Sequence, residues 1–141
     1  MKRMTAAVAA LGLFLGIGAC GDDDAGERLT VATELADTWG QGWDDNDPEA
    51  VASVFTEDGQ YLSFDGNTYE GDEIAEHVRI MGGAVTDLVR TEDLTETPEG
   101  TFTWVVETDL FDVRYRGTPE MELDGDLISR LSWAEDPVPI D

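Results

Sequence analysis

The sequence has one cysteine and one histidine, and its acidic residues far outnumber its basic ones. Because Cys20 is the only cysteine, no disulfide can form within the chain, and packing alone must stabilise the fold. Lysine and arginine together number 8, against 32 aspartates and glutamates. A surface this negative repels nucleic acid, so we expect no nucleic-acid partner.

The scarcity of histidine and cysteine also bears on metal binding. A conventional zinc site takes most of its ligands from these two residue types, and the chain cannot supply them. The aspartate-rich stretches 22–24 and 44–47 have the carboxylates for loose Ca²⁺ binding, but neither matches an EF-hand loop. We therefore predict neither a metal nor a cofactor.

The longest apolar run lies at the N-terminus. It extends from Ala6 to Ile17 behind a short basic segment, and it is shorter than the roughly 20 apolar residues of a transmembrane helix. It ends in Ile17-Gly18-Ala19-Cys20, which resembles a lipobox. We predict that residues 1–19 are a lipoprotein signal peptide. Cys20 then becomes the lipidated N-terminus, which anchors the chain to a membrane on the extracytoplasmic side.

The organisation of the remaining chain follows from composition. Loss of Lys2 and Arg3 with the signal peptide changes the formal net charge from −24 to −26, since two positive charges leave. Residues 20–28 are predicted to be the lipidated cysteine and an acidic tether. Residues 29–136 are predicted to be one domain with a single core. Residues 137–141 contain two prolines and are predicted to be a frayed tail.

Three helices are predicted at the start of this domain. Apolar residues recur at helical spacing from Leu29 to Trp43. Asp47 as an N-cap and Pro48 as the first helical residue predict a second, short helix. A third begins near Asp72 and ends at Gly82.

The rest of the domain is typical of strands, since it is rich in β-branched and aromatic residues with period-two alternation. Asp65-Gly66-Asn67 and Asp124-Gly125 predict hairpin turns. The predicted strands are 60–64, 68–69, 85–94, 101–115, 118–123 and 127–133. Together these elements predict an α+β fold, with three N-terminal helices packed on a curved, mostly antiparallel sheet.

Four segments in this order resemble the nuclear transport factor 2-like superfamily. They are a helix-loop-helix at 42–55, an acidic pair with the first strand at 56–61, the start of the third helix at 69–74, and the last hairpin at 123–128. The nearest resemblance is to the SnoaL-like group, which is also similar to ketosteroid isomerases. The resemblance implies a cone-shaped fold with an apolar pocket between helices and sheet. Members of the superfamily include isomerases, cyclases, dehydratases and hydrolases, so the fold does not assign an activity.

The catalytic positions that the resemblance to ketosteroid isomerases implies are not retained. The general base would fall at Ser63, which cannot abstract a proton unaided, and the tyrosine donor would fall at Trp39. The second donor, an acid, would fall near Pro119. These departures favour a protein that is not an isomerase of this type.

The other candidates for proton transfer are His77, Asp65 and Asp109. His77 is the only side chain that titrates near neutral pH without a shift, and it lies on the apolar face of the third helix. It is either part of the pocket wall or a general base oriented by a carboxylate. Asp65 is two residues after Ser63, so its side chain would lie on the same face of a strand, but Asp65 lies in a hairpin tip.

Two acids in the long predicted strand complete the candidate site. Glu107 and Asp109 lie among apolar residues, so each needs solvent, a positive partner or a ligand. We predict that Arg130 meets them inside the cone, the alternative being a cross-strand ion pair or plain exposure. The predicted ligand pocket consists of Trp39, Trp43, Tyr61, His77, Glu107, Asp109 and Arg130.

Three functions are compatible with these patterns. We predict an extracytoplasmic, lipid-anchored domain that binds a small apolar or amphipathic ligand in its cone. The second candidate is an isomerase, cyclase or dehydratase with His77 or a strand carboxylate as the general base. The third is a scaffold in an envelope complex that forms a homodimer through its sheet.

Overall fold

The computed structural model describes the backbone of residues 17–140 and the side chains of residues 26–140. The predicted cleavage and lipidation at Cys20 therefore lie outside the described side chains. The chain divides into two units, the first ending at Thr30 and the second beginning at Val31. The first unit has a helical backbone from Ile17, and the second contains the sheet. Among the described residues, no helix has the length and apolar character needed to cross a membrane.

Three helices precede and interrupt the first strands, in the order expected. They are α1 (Ile17–Asp44), α2 (Pro48–Ser53) and α3 (Asp72–Met81). The strands are β1 (Phe55–Leu62), β2 (Thr68–Glu70), β3 (Val85–Arg90), β4 (Thr95–Glu96), β5 (Phe102–Thr103), β6 (Val106–Leu110), β7 (Val113–Asp124) and β8 (Leu127–Pro139).

Local chemistry explains how α1 and α2 meet. The Asp47 side chain accepts a hydrogen bond from the Ala50 backbone N–H at 3.2 Å, and Pro48 occupies the first helical turn. Gly42 lies in α1 at the contact with α2, where an added Cβ would lie only 2.7 Å from the Val51 side chain. A glycine here allows the two helices to approach closely.

The described strands form one sheet in the order β2-β1-β8-β7-β5-β4, with β6 also paired to β7 and β3 paired to β6. The β1–β8 pair is parallel, and the other pairs are antiparallel. The helices pack on one face, which we call the inner face; the opposite face is the outer face. This arrangement confirms the predicted α+β fold with a mostly antiparallel sheet.

The predicted strand 101–115 is wrong in its extent, because the chain reverses after Leu110. Phe111 and Asp112 have φ angles of 51° and 66°, which are the left-handed values that a two-residue hairpin turn requires at both central positions. Phenylalanine rarely adopts this conformation, so the residue types gave no turn signal. The segment is therefore divided between β5, β6 and the first residues of β7.

Other boundaries differ as well: the strands predicted at 60–64 and 85–94 are observed at Phe55–Leu62 and Val85–Arg90, and two terminal segments have regular secondary structure. Residues 137–139, expected as a frayed tail, belong to β8, where Val138 pairs with Arg116 and Pro139 with Tyr115. This end of β8 extends beyond its pairing with β1, so proline costs no ladder hydrogen bond there. The predicted tether 20–28 lies within α1. Extending an existing helix is much less costly than starting one, which favours its continuation into a polar stretch.

The core lies between the helices and the inner face. Trp43, Phe55 and Ile74 come from α1, β1 and α3, and all three are at most 5% exposed and belong to one cluster of buried residues. Aliphatic residues of β6, β7 and β8 complete the cluster from the sheet side.

Candidate functional site

A small aromatic cavity lies between α1 and the inner face of the sheet. Its volume is about 20 Å³, which is room for about one water molecule. No Asp, Glu, Lys or Arg lies among the side chains around it. They are Trp39, Trp43, Tyr61, Phe64, Val85, Leu88, Thr108, Leu110, Tyr115, Trp133 and Pro137.

Contacts between aromatic rings fix the geometry of this cavity. The centroid of Trp39 lies 6.2 Å from those of Tyr61, Trp104 and Trp133, with interplanar angles of 67°, 89° and 60°. Such edge-on and tilted pairs are the favourable arrangements of aromatic side chains. The rings therefore support one another across α1, β1 and β8.

Three tryptophans at the cavity carry indole N–H groups that have no hydrogen-bond acceptor in the described structure. They are Trp39, Trp43 and Trp133. A buried donor without an acceptor costs about 1–3 kcal/mol, so native proteins contain few of them. The Trp133 indole approaches the Tyr61 hydroxyl without reaching hydrogen-bond geometry. These three donors lie around one cavity, and the single water that the cavity admits can accept hydrogen bonds from at most two of them.

The Tyr61 hydroxyl remains protonated at neutral pH. Burial raises the pKa of Tyr61 far above its usual range, although the nearby Trp133 and Ser63 side chains partly offset this rise. The cavity therefore presents an uncharged hydroxyl beside the indole N–H groups.

A second group of polar residues lies next to the cavity, between β1 and α3. The Ser63 hydroxyl and His77 Nε2 are 3.1 Å apart, and the two residues are only 6% and 4% exposed. The His77 ring stacks on Tyr69 with a centroid distance of 3.9 Å and meets the edge of Trp43 at 5.8 Å. His77 is thus held by rings on two sides and by one hydrogen bond.

Asp65 lies at the open side of this group. Its carboxylate accepts hydrogen bonds from the Asn67 backbone N–H at 2.9 Å and the Tyr69 hydroxyl at 2.8 Å. Partial burial raises the pKa of Asp65, but these hydrogen bonds outweigh it, so the pKa lies below its usual value. Burial lowers the pKa of His77, and the Asp65 charge offsets only part of that change. In the described structure, no carboxylate forms a hydrogen bond with His77.

The predicted meeting of Arg130 with Glu107 and Asp109 inside the cone is wrong. Along β6, Val106 and Thr108 face inward, so Glu107 and Asp109 lie on the outer face. Their partners are on β7, where Arg116 lies 3.0 Å from Glu107 and Arg114 lies 3.2 Å from Asp109. These are the cross-strand ion pairs that the sequence left as the alternative.

Arg130 also lies on the outer face. The register of β7 and β8 places it opposite Glu122, with a closest N–O distance of 3.9 Å and both side chains about half exposed. Of the predicted pocket residues, Trp39, Trp43 and Tyr61 line the cavity, and His77 packs against two of these rings. Whether any of them binds a ligand stays a prediction.

Sequence reasoning missed much of the cavity wall. Trp133 and Pro137 both belong to β8, whereas the sequence predicted a strand end at Trp133 and a tail at Pro137. Tyr115 belongs to β7, whereas the sequence predicted it in the preceding strand. Pro119, expected near a catalytic position, is a buried residue of β7 that pairs with Trp133. No grouping of three or more His, Cys, Asp or Glu suited to a metal ion occurs in the described part of the chain.

Comparison with known proteins relates this architecture to solved structures. Neither a family model nor a curated protein matches the sequence. A protein with a ketosteroid isomerase-like fold from Catenulispora acidiphila, solved in complex with trimethylamine, is 16% identical, with a TM-score of 0.60 over 73% of this chain and 85% of that one. A nuclear transport factor 2-like protein of unknown function from Cytophaga hutchinsonii is 12% identical, with a TM-score of 0.57 over 72% and 87%.

An enzyme shares the same architecture. An epoxide hydrolase of M. tuberculosis is 16% identical, with a TM-score of 0.60 over 76% of this chain and 79% of that one. At identities this low, the structural similarity establishes the fold and leaves the activity open. The chain has the nuclear transport factor 2-like fold, as the four sequence segments led us to expect.

Proposed function

We propose that the chain is a lipid-anchored, extracytoplasmic domain that binds a small, uncharged, mostly apolar molecule in its aromatic cavity. The observation that carries this proposal is the set of indole N–H groups without acceptors at that cavity. A bound molecule with an oxygen acceptor would satisfy one or more of them and remove their desolvation cost.

The chemistry of the wall argues for an uncharged ligand. No charged side chain lines the cavity, so an ion would lose its hydration without gaining a partner. The Tyr61 hydroxyl and the indoles are hydrogen-bond donors that favour a carbonyl or ether oxygen. We therefore expect a compact molecule with one such oxygen and an apolar remainder.

The size of the cavity adds a condition. At about 20 Å³ it admits one water, so a larger ligand must displace part of the wall. Phe64, Tyr115 and Pro137 lie outside the central group of tryptophans and are the expected moving parts. Because only the open form binds, the apparent affinity falls in proportion to the population of that form.

Membrane anchoring rests on the sequence alone. The Ile17-Gly18-Ala19-Cys20 segment supports lipidation of Cys20 on the extracytoplasmic side. Metabolic labelling with a palmitate analogue tests this proposal, with Cys20→Ala as the matched variant. Incorporation of label into the Cys20→Ala chain would contradict it.

A matched pair of probes tests the cavity. Cyclohexanone carries a carbonyl acceptor, and methylenecyclohexane has nearly the same shape without one. We expect cyclohexanone to change tryptophan fluorescence saturably and to raise the melting temperature, and methylenecyclohexane to do so much more weakly. Trp43→Phe removes one N–H donor and should weaken cyclohexanone binding, whereas Ile74→Val, at a buried position outside the cavity wall, should not.

Two results would overturn the binding proposal. The first is equal binding of the two probes, because the indole donors would then contribute nothing. The second is stronger binding of trimethylammonium, the protonated form of the ligand in the Catenulispora structure, since the rings would then act as a cation–π cage.

A scaffold is the second candidate, and the small cavity volume favours it. A domain whose core is almost filled has little room for a ligand and would act through its surface, for example as a homodimer through the outer face. Sedimentation equilibrium decides this point. A stable dimer that is unaffected by cyclohexanone would support the scaffold.

A further inference from the structure

Ser63 and His77 form a pair that the binding proposal does not use. Their 3.1 Å contact joins a hydroxyl to the one histidine of the chain, and both residues are more than nine-tenths buried. They come from different elements and are 14 residues apart in sequence, so neither residue's local pattern suggested the contact. Ser63 is not sealed in the core: it lines a surface hollow of about 200 Å³ together with Thr68, Ser132 and Trp133.

We propose that Ser63 is a nucleophile activated by His77, and that the chain hydrolyses short, uncharged carboxylic esters bound in this hollow. A serine hydroxyl becomes reactive when a neutral base within hydrogen-bond distance accepts its proton. His77 Nε2 has this position, and Nδ1 then carries the ring proton. Asp65 is close enough to stabilise the imidazolium that forms, although it does not hydrogen-bond to the ring.

The same neighbourhood supplies donors for the oxyanion. Trp133 lines the hollow together with Ser63; its indole N–H has no acceptor and is itself buried, so the ring must turn for this group to reach the oxyanion. The Tyr61 hydroxyl, which stays protonated, lies beside both of them. Uncharged hydrogen-bond donors placed where a negative charge develops are the usual means of stabilising a tetrahedral intermediate.

The reaction balances with water as the only co-reactant. The Ser63 oxygen attacks the ester carbonyl carbon while its proton passes to His77 Nε2. The bond to the alcohol oxygen breaks, this oxygen takes the proton from His77, and an acyl group remains on Ser63. Water, deprotonated by His77, attacks the acyl group and releases the carboxylic acid, and the proton returns to Ser63.

The charge around the hollow sets the substrate class. Asp136 lines the hollow, and the chain as a whole has a formal net charge of −24, so anionic esters are repelled. The volume of the hollow suits a short acyl group. Neutral esters with short acyl chains are therefore the expected substrates, and 4-nitrophenyl acetate is a suitable probe.

Covalent labelling of the full chain tests this proposal. A neutral alkyl fluorophosphonate should lose fluoride and phosphonylate Ser63, which intact mass and peptide mapping detect. Ser63→Ala should abolish the label, and His77→Phe should slow labelling by about 100-fold or more. Ser129→Ala, outside the hollow, should label like the wild type. Below neutral pH the labelling rate should fall as His77 becomes protonated. The acidic groups that line the other side of His77 are Asp65, Glu73 and Glu76.

A second variant keeps the test decisive if Ser63→Ala fails to fold. In a full chain with Cys20→Ala, Ser63→Cys should react with iodoacetamide faster than Ser53→Cys, although Ser53 is exposed and Ser63 is buried. Failure of Ser63 to label, labelling of Ser132 instead, or slower alkylation of Ser63→Cys would each overturn the proposal. Cyclohexanone binding is measured separately, so neither result decides the other.

Discussion

Neighbouring residues of β6 lie in opposite environments. Thr108 faces the aromatic cavity, while Glu107 and Asp109 on either side of it form ion pairs on the outer face. The buried polar residues on the helix side, Ser63, His77 and Thr108, are uncharged at neutral pH, whereas the charged side chains paired between β6 and β7 are partly exposed, by 22% to 54%. A strongly acidic chain with few arginines can solvate its acids but cannot pair them all in a core, so the charged pairs of β6 and β7 lie on the outer face.

The two faces also differ in the interactions that stabilise them. On the inner face, stability comes from apolar burial and close ring packing, where single truncations cost several kcal/mol. On the outer face, it comes from solvated ion pairs, which contribute about 0–1 kcal/mol each. The losses in the free energy of unfolding caused by mutations on the two faces should therefore differ clearly in size.

The largest expected effect is at Phe55. Its side chain is 5% exposed in the core, so Phe55→Ala should lower the free energy of unfolding by about 3–5 kcal/mol. Gln60→Ala, in the same strand with its side chain outward, should change it by less than about 0.5 kcal/mol. Urea unfolding measures both, and similar losses would remove the distinction between the faces.

A smaller effect is expected at Gly117. A Cβ at this position would lie 2.9 Å from the Trp133 ring and 3.2 Å from Pro137, so Gly117→Ala must push Trp133 aside. We expect a loss of about 1–3 kcal/mol from overpacking, with a change in tryptophan emission. Gly26→Ala is the control, since nothing lies within 4 Å of its added Cβ. An unchanged emission spectrum would show that Trp133 is not held against β7.

The pH dependence of stability should report on His77. Burial lowers its pKa in the folded state, so the unfolded chain binds the proton more readily, and stability falls as pH drops below about 6.5. Above that pH this contribution is fully present. The unfolding free energy of His77→Phe should decline less steeply from about pH 7 to pH 5 than that of the wild type. Parallel curves would mean that His77 titrates alike in both states.

The smallest effect is expected at Arg130. Its N–O distance of 3.9 Å to Glu122 and its half-exposed side chain predict a loss of no more than about 0.5 kcal/mol for Arg130→Ala. Glu107→Gln, which breaks the closer contact with Arg116, should cost somewhat more, up to about 1 kcal/mol, and less at high salt. A large loss at Arg130 would place it in a buried network after all.

Prediction of the site from sequence succeeded where a local pattern decides burial. Trp39 and Trp43 follow helical periodicity, and Tyr61 follows strand alternation, so their inward direction could be read from spacing. Glu107 and Asp109 were correctly placed on one face of a strand. The local sequence does not show which of the two faces of the strand packs against the helices, because this depends on how β6 pairs with β7 and lies under α1.

The sequence by itself determined the elements whose signals are contiguous: the capped start of α2 at Asp47, the turns at Gly66 and Gly125, and the order of helices and strands. Only the tertiary structure decided the reversal at Phe111, the extension of β8 over Trp133 and Pro137, and the contact between Ser63 and His77. Caps, turns and periodicity act within a few residues. Faces, strand ends and polar pairs depend on partners that are distant in the chain, and only packing brings them together.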